Sequence, residues 1–473
     1  MPPVALMMLL LWPVVAGVLF SRMDRQRAVV WTLLAGYLLL PTGVAIDLPA
    51  VPGITKHMIP AMCAALFLFL QRDKFKDAPM PPHWGKFVTF LLILNFTSPM
   101  LTTVTNSDPL PGGVQYRPAL SISQGISETM LVYIQLLPFF LGYRVLWDRQ
   151  GAEILVRALV LGILAYSVLM LFEVRFSPQL NIMLYGYFQH DFGQTIRYGG
   201  FRPIVFLEHP LWVAVLTMCA FVSAIVVARN DRTRRNLLIA CYLAFILLIC
   251  RSAGALLQAM MAAPLVALGR PRTMVVAAAV VASLAFAYPV LRTSSLVPLN
   301  GIVDAAMSLS PERGRSLEFR LSNEEKLVER ALERPLFGWG GWGRSLFLDP
   351  FNGRLTAIPD GLWVIWMGAK GVYGYLAQFL MLILPIWTML RAVPRRIGAG
   401  AQAEYRLLGC LALILAMNCL DLIPNATLTP VTWLMAGTLM GNARRLLAGV
   451  HEPADGPVAS QILPKKAGLQ TVL

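Results

Sequence analysis

The chain is poor in charge: Asp, Glu, Lys and Arg make up 14% of its 473 residues, against about 25% in soluble domains. That is too little polar surface to clothe a water-soluble globule. Five histidines occur, none in an H-E-x-x-H or other ligand spacing, which removes the zinc-peptidase class. There is no G-x-S-x-G nucleophile elbow and no D-x-D pair to hold the metal of a nucleotide-sugar enzyme, so the expected chemistry needs neither cofactor nor metal. The cysteines, Cys63, Cys219, Cys241, Cys250, Cys410 and Cys419, form no C-x-x-C pair and fall in or beside apolar segments. They read as packing residues, not as disulfides or a metal knot. Acidic residues are the minority, 25 against 40 Lys and Arg. In a soluble chain that surplus would suggest nucleic acid, but here much of it sits in short connections between apolar segments, where membrane topology accounts for it and no nucleic-acid partner is implied.

What is present in excess is apolar: 57% of residues are hydrophobic and the mean hydropathy is +0.63. Apolar stretches at about 4–20, 28–46, 58–70, 87–104, 121–143, 152–172, 209–228, 237–250, 253–268, 273–291, 361–390, 404–420 and 428–443 approach the ~20 residues that cross a bilayer. The expected fold is an all-α polytopic membrane protein of about 12–13 transmembrane helices, a single domain over 1–450 with a disordered tail over 451–473. The opening stretch lacks a basic n-region and reads as the first membrane helix, not as a cleaved signal peptide. Alternate connections are basic ("SRMDRQR", "QRDKFKD", "YRVLWDRQ", "RNDRTRR", "GRPR", "RAVPRR", "NARR"). The positive-inside rule makes that side cytoplasmic, with the N-terminus outside and the C-terminus inside. The other side then carries two long segments, 173–208 and 292–360, longer than connection requires. In the second, "SNEEKLVERALERP" offers a capping box at Ser322 and Glu325, and a stripe of Leu327, Val328, Ala331 and Leu332 ending at Pro335. It predicts an amphipathic helix on the membrane core or at its outer interface.

Charge near membrane depth on the outer side marks candidate chemistry. In "LLICRSAGALL", Arg251 stands between two short apolar runs; it is either a turn residue snorkelling to headgroups or an arginine aimed at an anion in an outward-facing cavity. In "QTIRYGGFRPIVFLEHPLWVA", Arg197 and Arg202 precede Glu208 and His209. Two guanidinium forks could converge on one phosphate or pyrophosphate, or the segment is a solvated loop paired with Asp191 and Glu208. His209, before Pro210, reads as a helix-start residue. Asp360 in "IPDGLWVIWMGAKGVYGYL" opens the stretch 361–390, as a helix cap, a general base, or both. Residues 338–343, "GWGGWG", match the G-x-G-x-x-G spacing of a dinucleotide loop, but no strand precedes them and an amphipathic helix does, so the nucleotide reading fails on context. The glycines instead suit a sharp turn, with Trp339 and Trp342 resting at the interface or stacking on a sugar.

Together these stretches resemble the O-antigen ligase and Wzy-type polysaccharide polymerase family of bacterial inner-membrane proteins. The strongest match runs from about 315 to 374: Arg320, the amphipathic helix, "RPLFGWG", then "DGLWVIWMGAKGVYG", in which Gly371 and Gly374 reproduce the family's G-x-x-G pattern. "RYGGFRP" and "CRSAG" are weaker matches, and the N-terminal helices agree only in hydropathy. The resemblance implies a metal-independent inverting glycosyl transfer on the periplasmic face of the inner membrane, from a polyprenyl-pyrophosphate-linked oligosaccharide to a sugar hydroxyl. Arg197 or Arg202, Arg251 and Arg320 would bind the pyrophosphate, Asp360 would be catalytic, and Trp339, Trp342, Glu208 and His209 are candidates for glycan contact. Membrane lipids, a chain-length regulator and export proteins are the implied partners. Ligases of the family carry histidine where this chain has Asp360, and tryptophan where it has Glu324. The departure favours the polymerase branch, exopolysaccharide or O-antigen, over the ligase; a flippase or transporter of lipid-linked glycan is the alternative of another class.

Overall fold

The computed structural model describes residues 2–47, 52–75, 79–110, 116–294, 299–341, 343–349 and 351–450; Trp342 and the 451–473 tail lie outside them. Each of the thirteen apolar stretches becomes a helix. In the first half these are α1 (Pro3–Arg22), α2 (Arg25–Leu39), α3 (Ile59–Leu70), α4 (Lys86–Val104), α5 (Ile122–Val145) and α6 (Arg149–Phe176). After the short α7 (Leu180–Tyr185) come α8 (Pro210–Asp231), α9 (Arg234–Ile249), α10 (Ala253–Leu268) and α11 (Pro271–Thr293). Helices α12 (Leu299–Leu309) and α13 (Pro311–Leu332) fill the second long segment, before α14 (Leu362–Ala392), α15 (Gln402–Asp421) and α16 (Pro430–Leu447). Among the described residues eight helices are long and apolar enough to cross a membrane, which makes this an all-α, multi-pass membrane protein. The only strands among the described residues are two two-residue hairpins, β1–β2 (Ala45–Ile46 with Ile54–Thr55) and β3–β4 (Ile196–Arg197 with Gly200–Phe201).

The basic connections gather on one face. Gln26, at the start of α2, donates to Asp148 before α6 at 2.8 Å. Arg157 near the start of α6 reaches Asp231 at the end of α8 at 2.8 Å, and Asn230 reaches the Ala403 carbonyl at 3.1 Å. Arg272 donates to the Val393 carbonyl at 2.6 Å, Arg445 pairs with Glu404, and Arg444 donates to the His83 carbonyl at 2.9 Å. The regular alternation of basic loops is therefore a real two-sidedness of the bundle. Inside it, small residues let backbones close up: a Cβ on Gly437 of α16 would stand 1.9 Å from the Phe139 carbonyl oxygen of α5, the close approach that apolar helices use when water cannot drive them together.

The amphipathic helix is longer than expected. It starts at Pro311 after Ser310, with proline at the first helical position, eleven residues before the capping box read at Ser322. That pattern sits inside a helix already under way, where the backbone N–H groups are taken and there is nothing to cap. Of its stripe, Leu327 and Ala331 are buried and Leu332 is exposed.

Helix α14 is interrupted. Gly371 has φ 66 and ψ −173 in mid-helix, which leaves carbonyls before it and N–H groups after it without intrahelical partners. The segment 335–340 supplies them: Trp339 and Gly340 N–H donate to the Gly368 and Ala369 carbonyls at 2.8 and 2.9 Å, while Val372 and Tyr373 N–H donate to the Pro335 and Leu336 carbonyls at 2.8 and 3.1 Å. The glycines of "GWGGWG" serve this docking and not a phosphate. Any side chain at Gly371 would meet the Leu336 carbonyl oxygen at 2.3 Å and sit in a backbone region that costs about 1–3 kcal/mol. Gly371→Ala should therefore lower the melting temperature of the detergent-solubilised protein by several degrees, whereas Gly400→Ala, with open space around it, should leave it unchanged. Equal melting of the two variants would show that the break tolerates an ordinary residue.

Candidate active site

Opposite the basic face, the 173–208 segment is organised by a carboxylate that the sequence reading passed over. Glu173, fully buried at the end of α6, accepts from the backbone N–H groups of Ile204, Val205 and Leu180 at 2.8, 2.7 and 3.2 Å. Charge-assisted bonds of this kind contribute about 1.5–3 kcal/mol each and fix the chain on its way to Glu208. Glu208 does not pair with the nearby arginines. It accepts from His57 Nε2 at 2.9 Å and Thr42 Oγ1 at 3.2 Å, with Lys56 Nζ at 3.5 Å; against its burial, the Lys56 charge and the His57 contact hold its carboxyl far below the usual range. Glu208 thereby ties the α2–α3 connection to the start of α8 and is committed to that network.

Two arginines sew the hairpin β3–β4 to the α9–α10 turn. Arg251, in that turn with φ 50, donates to the Arg197 and Tyr198 carbonyls at 2.6 and 2.9 Å. In return Arg202, only 2% exposed, donates to the Cys250 carbonyl at 3.3 Å and to the Gln194 carbonyl at 3.4 Å. Burial and the neighbouring Arg197 charge bring the Arg202 guanidinium down to about 10. Arg202 and Arg251 thus spend donors on backbone, while the Arg197 side chain is exposed on the hairpin and lies over the Tyr198 ring.

Arg320, on α13, places Nε 3.6 Å from Asp360 Oδ2, both side chains being more than two-fifths exposed. Asp360 is not the cap of α14; Gly361 holds that position, so the carboxylate stays open to solvent and to Arg320. One turn on, Glu324 accepts from Arg292 Nε at 3.0 Å, Tyr288 Oη at 3.1 Å and Trp363 Nε1 at 3.3 Å, and burial pushes its carboxyl up. The pairs Arg320–Asp360 and Glu324–Trp363 set α13 in register on the start of α14. From below, Leu362 N–H donates to the Leu422 and Asn425 carbonyls, a turn held by buried Asp421, which accepts from Gln258, Asn425 and Thr427. Asp421 was also missed; its signal was a carboxylate at the end of an otherwise apolar helix.

His209 joins the two halves. It is the N-cap of α8, as expected, its Nδ1 accepting from Leu211 N–H at 3.0 Å, so a neutral ring carries its proton on Nε2. Burial, then the charges of His190, Arg202, Arg197 and Arg320, pull it down to about 3; of these, Arg320 stands beside Asp360. Trp339 is elsewhere. It is 5% exposed, its ring lies under Arg330 at 3.4 Å and Arg334 at 4.3 Å, and its Nε1 donates to the Arg330 carbonyl. It is neither an interfacial anchor nor an open sugar platform, because both guanidinium groups occupy its faces. Among the described residues no three His, Cys, Asp or Glu gather as a metal site.

Arg202→Ala strands two carbonyls in a buried position and should cost about 2–4 kcal/mol of stability; Arg197→Ala should cost under about 0.5 kcal/mol, both measured by chemical unfolding in micelles. His209 should couple the fold to pH. Unfolded it titrates near its ordinary 6.5, folded near 3, so the unfolded chain takes up the proton first as pH falls. Its contribution is complete above about 6.5 and is lost as pH drops towards 3. His209→Asn, which keeps a capping side chain, should flatten stability between about pH 6.5 and 5, above the carboxylate range; an unchanged slope there would mean that the surrounding cations do not act on the ring. Compared with known proteins, the chain matches no family model and no curated protein.

Proposed function

We propose that this protein polymerises polyprenyl-pyrophosphate-linked oligosaccharide units at the face opposite the basic connections, which on this reading is the periplasmic face of a bacterial inner membrane. The observation that carries the reading is the exposed Asp360 carboxylate beside Arg320, whose charge, with those of Arg197, Arg202 and His190, acts on His209. An acceptor sugar hydroxyl attacks the anomeric carbon of the donor, the C1–O bond to pyrophosphate breaks with inversion, and Asp360 accepts the hydroxyl proton. Arg320 and Arg197 meet the charge that grows on the departing pyrophosphate. Arg251 and Arg202 act through the hairpin that presents Arg197, which makes them positioning residues.

The transporter reading gains little from the interruption of α14. In transporters broken helices point their free termini at substrate, whereas here the segment 335–340 already occupies those backbone groups.

Purified protein reconstituted with a lipid-linked repeat unit, without nucleotide or metal, should yield a ladder of multiples. A single addition to a different acceptor would make it a ligase, and lipid-linked substrate crossing the bilayer with no covalent product would make it a transporter. Asp360→Asn and Arg320→Ala should each slow elongation at least about 100-fold at an unchanged yield of folded protein. Normal rates in either would remove that residue from the chemistry.

A further inference from the structure

A largely apolar recess with a few polar groups lies away from Asp360, where the segment 335–341 meets the break in α14. It is lined by Thr102 of α4, Gln124 and Glu128 of α5, Gly340, Gly341 and Lys370. Its enclosed volume is about 60 Å³, within a void of about 470 Å³ counted out to the mouth. A site for one water needs about 10–15 Å³ on the first measure, so there is room for a small polar group.

The lining holds one ammonium and one carboxylate that do not close on each other. Lys370 feels the Glu128 charge, yet no N···O approach of 4.0 Å or less joins them. The Lys370 ammonium stands 5.9 Å from the Trp366 ring and makes no hydrogen bond among the described residues. The Glu128 carboxylate lies 3.4 Å from where a Cβ on Gly341 would stand. Opposite charges that share one recess attract. Lining it without closing on each other, they are complementary to a group that carries both signs.

The position of the recess selects the kind of molecule. Thr102 is two residues from the end of α4 and Glu128 six residues into α5, so the site lies within about 9 Å, two turns, of the helix ends on the face opposite the basic connections. Val104 and Ile122, at those ends, are exposed apolar side chains, a surface that acyl chains cover in a membrane.

We propose that this recess binds the headgroup of an aminophospholipid, its phosphate at Lys370 and its primary amine at Glu128. This does not depend on the glycosyl-transfer reading, since none of the lining residues belongs to the site at Asp360. The seated lipid would brace the docked segment 335–341 against α4 and α5, because Gly340 and Gly341 form one wall.

The test is lipid binding by native mass spectrometry and thermal shift on the full chain in detergent, titrated with phosphatidylethanolamine, phosphatidylglycerol or phosphatidylcholine. Phosphatidylethanolamine should bind at least tenfold tighter than the other two, since the glycerol headgroup lacks the amine and the choline group has no N–H to donate. Glu128→Gln should abolish that preference, and Lys370→Met should weaken phosphatidylethanolamine and phosphatidylglycerol alike. Loss of Lys370 beside the helix break could unfold the chain, so near-isosteric Glu128→Gln, at an unchanged melting temperature without lipid, decides the outcome. Equal binding of the three lipids by the unaltered protein, or a preference that survives Glu128→Gln, would overturn the proposal. Glycerophosphoethanolamine separates the sources: stabilisation by this soluble headgroup equal to that by the lipid would assign the recess to a free phosphoamine, against the membrane lipid proposed here.

Discussion

The half of the molecule opposite the basic connections depends on one exchange of backbone hydrogen bonds. A helix that breaks inside an apolar bundle leaves peptide groups that neither lipid nor water can satisfy, and in α14 those groups are met by the segment that follows α13. The exchange fixes where α13 lies, because Arg334 at its end is also clamped to Asp108 at 2.6 Å and to the Thr105 carbonyl at 2.7 Å. With its end held, α13 can lay Arg320 and Glu324 along the start of α14. The candidate site is thus set by a hydrogen-bond debt incurred some ten residues away.

The charges around that site fall into two kinds. Glu173 and Asp421 are acceptors consumed by structure, both oxygens of each met by backbone or side-chain donors, while Glu208 is tied through one oxygen and Arg202 and Arg251 hold backbone carbonyls. Arg197, Arg320 and Asp360 keep exposed side chains. A polar network in a low-dielectric bundle holds geometry only when its members are paired, and chemistry needs members whose pairing is incomplete. The separation between committed supports and open groups is what makes the region read as a site and not merely as a polar plug.

Much of this was legible in the sequence. The thirteen apolar stretches and the alternating basic loops gave the helices and the two faces, because burial period and charge asymmetry are local properties of the chain. Arg320 and Asp360 were both singled out in the sequence, but that they stand 3.6 Å apart across forty residues of chain was not foreseen there, because it depends on how α13 lies along α14. Distinguishing Arg202 from Arg197 was not possible, since which guanidinium is buried depends on where the Cys250 carbonyl ends up. Ser322 misled because S-x-x-E is a capping signal only where N–H groups are free, and the stronger start at Ser310–Pro311 lay upstream. Asp421 escaped notice because its partners Gln258 and Thr427 are brought to it only by the tertiary fold.

The paired arginines of the hairpin and the α9–α10 turn have a dynamic consequence. Each lends its guanidinium to the other's backbone, so neither partner can leave without breaking both sets of bonds at once. Local opening is governed by the smallest unit that can separate independently, and this latch makes that unit large: hairpin, turn and the adjoining ends of α9 and α10 together. Exchange protection of the Tyr198–Arg202 amides should consequently track that of the α9–α10 turn, although one is a surface loop and the other a helix junction.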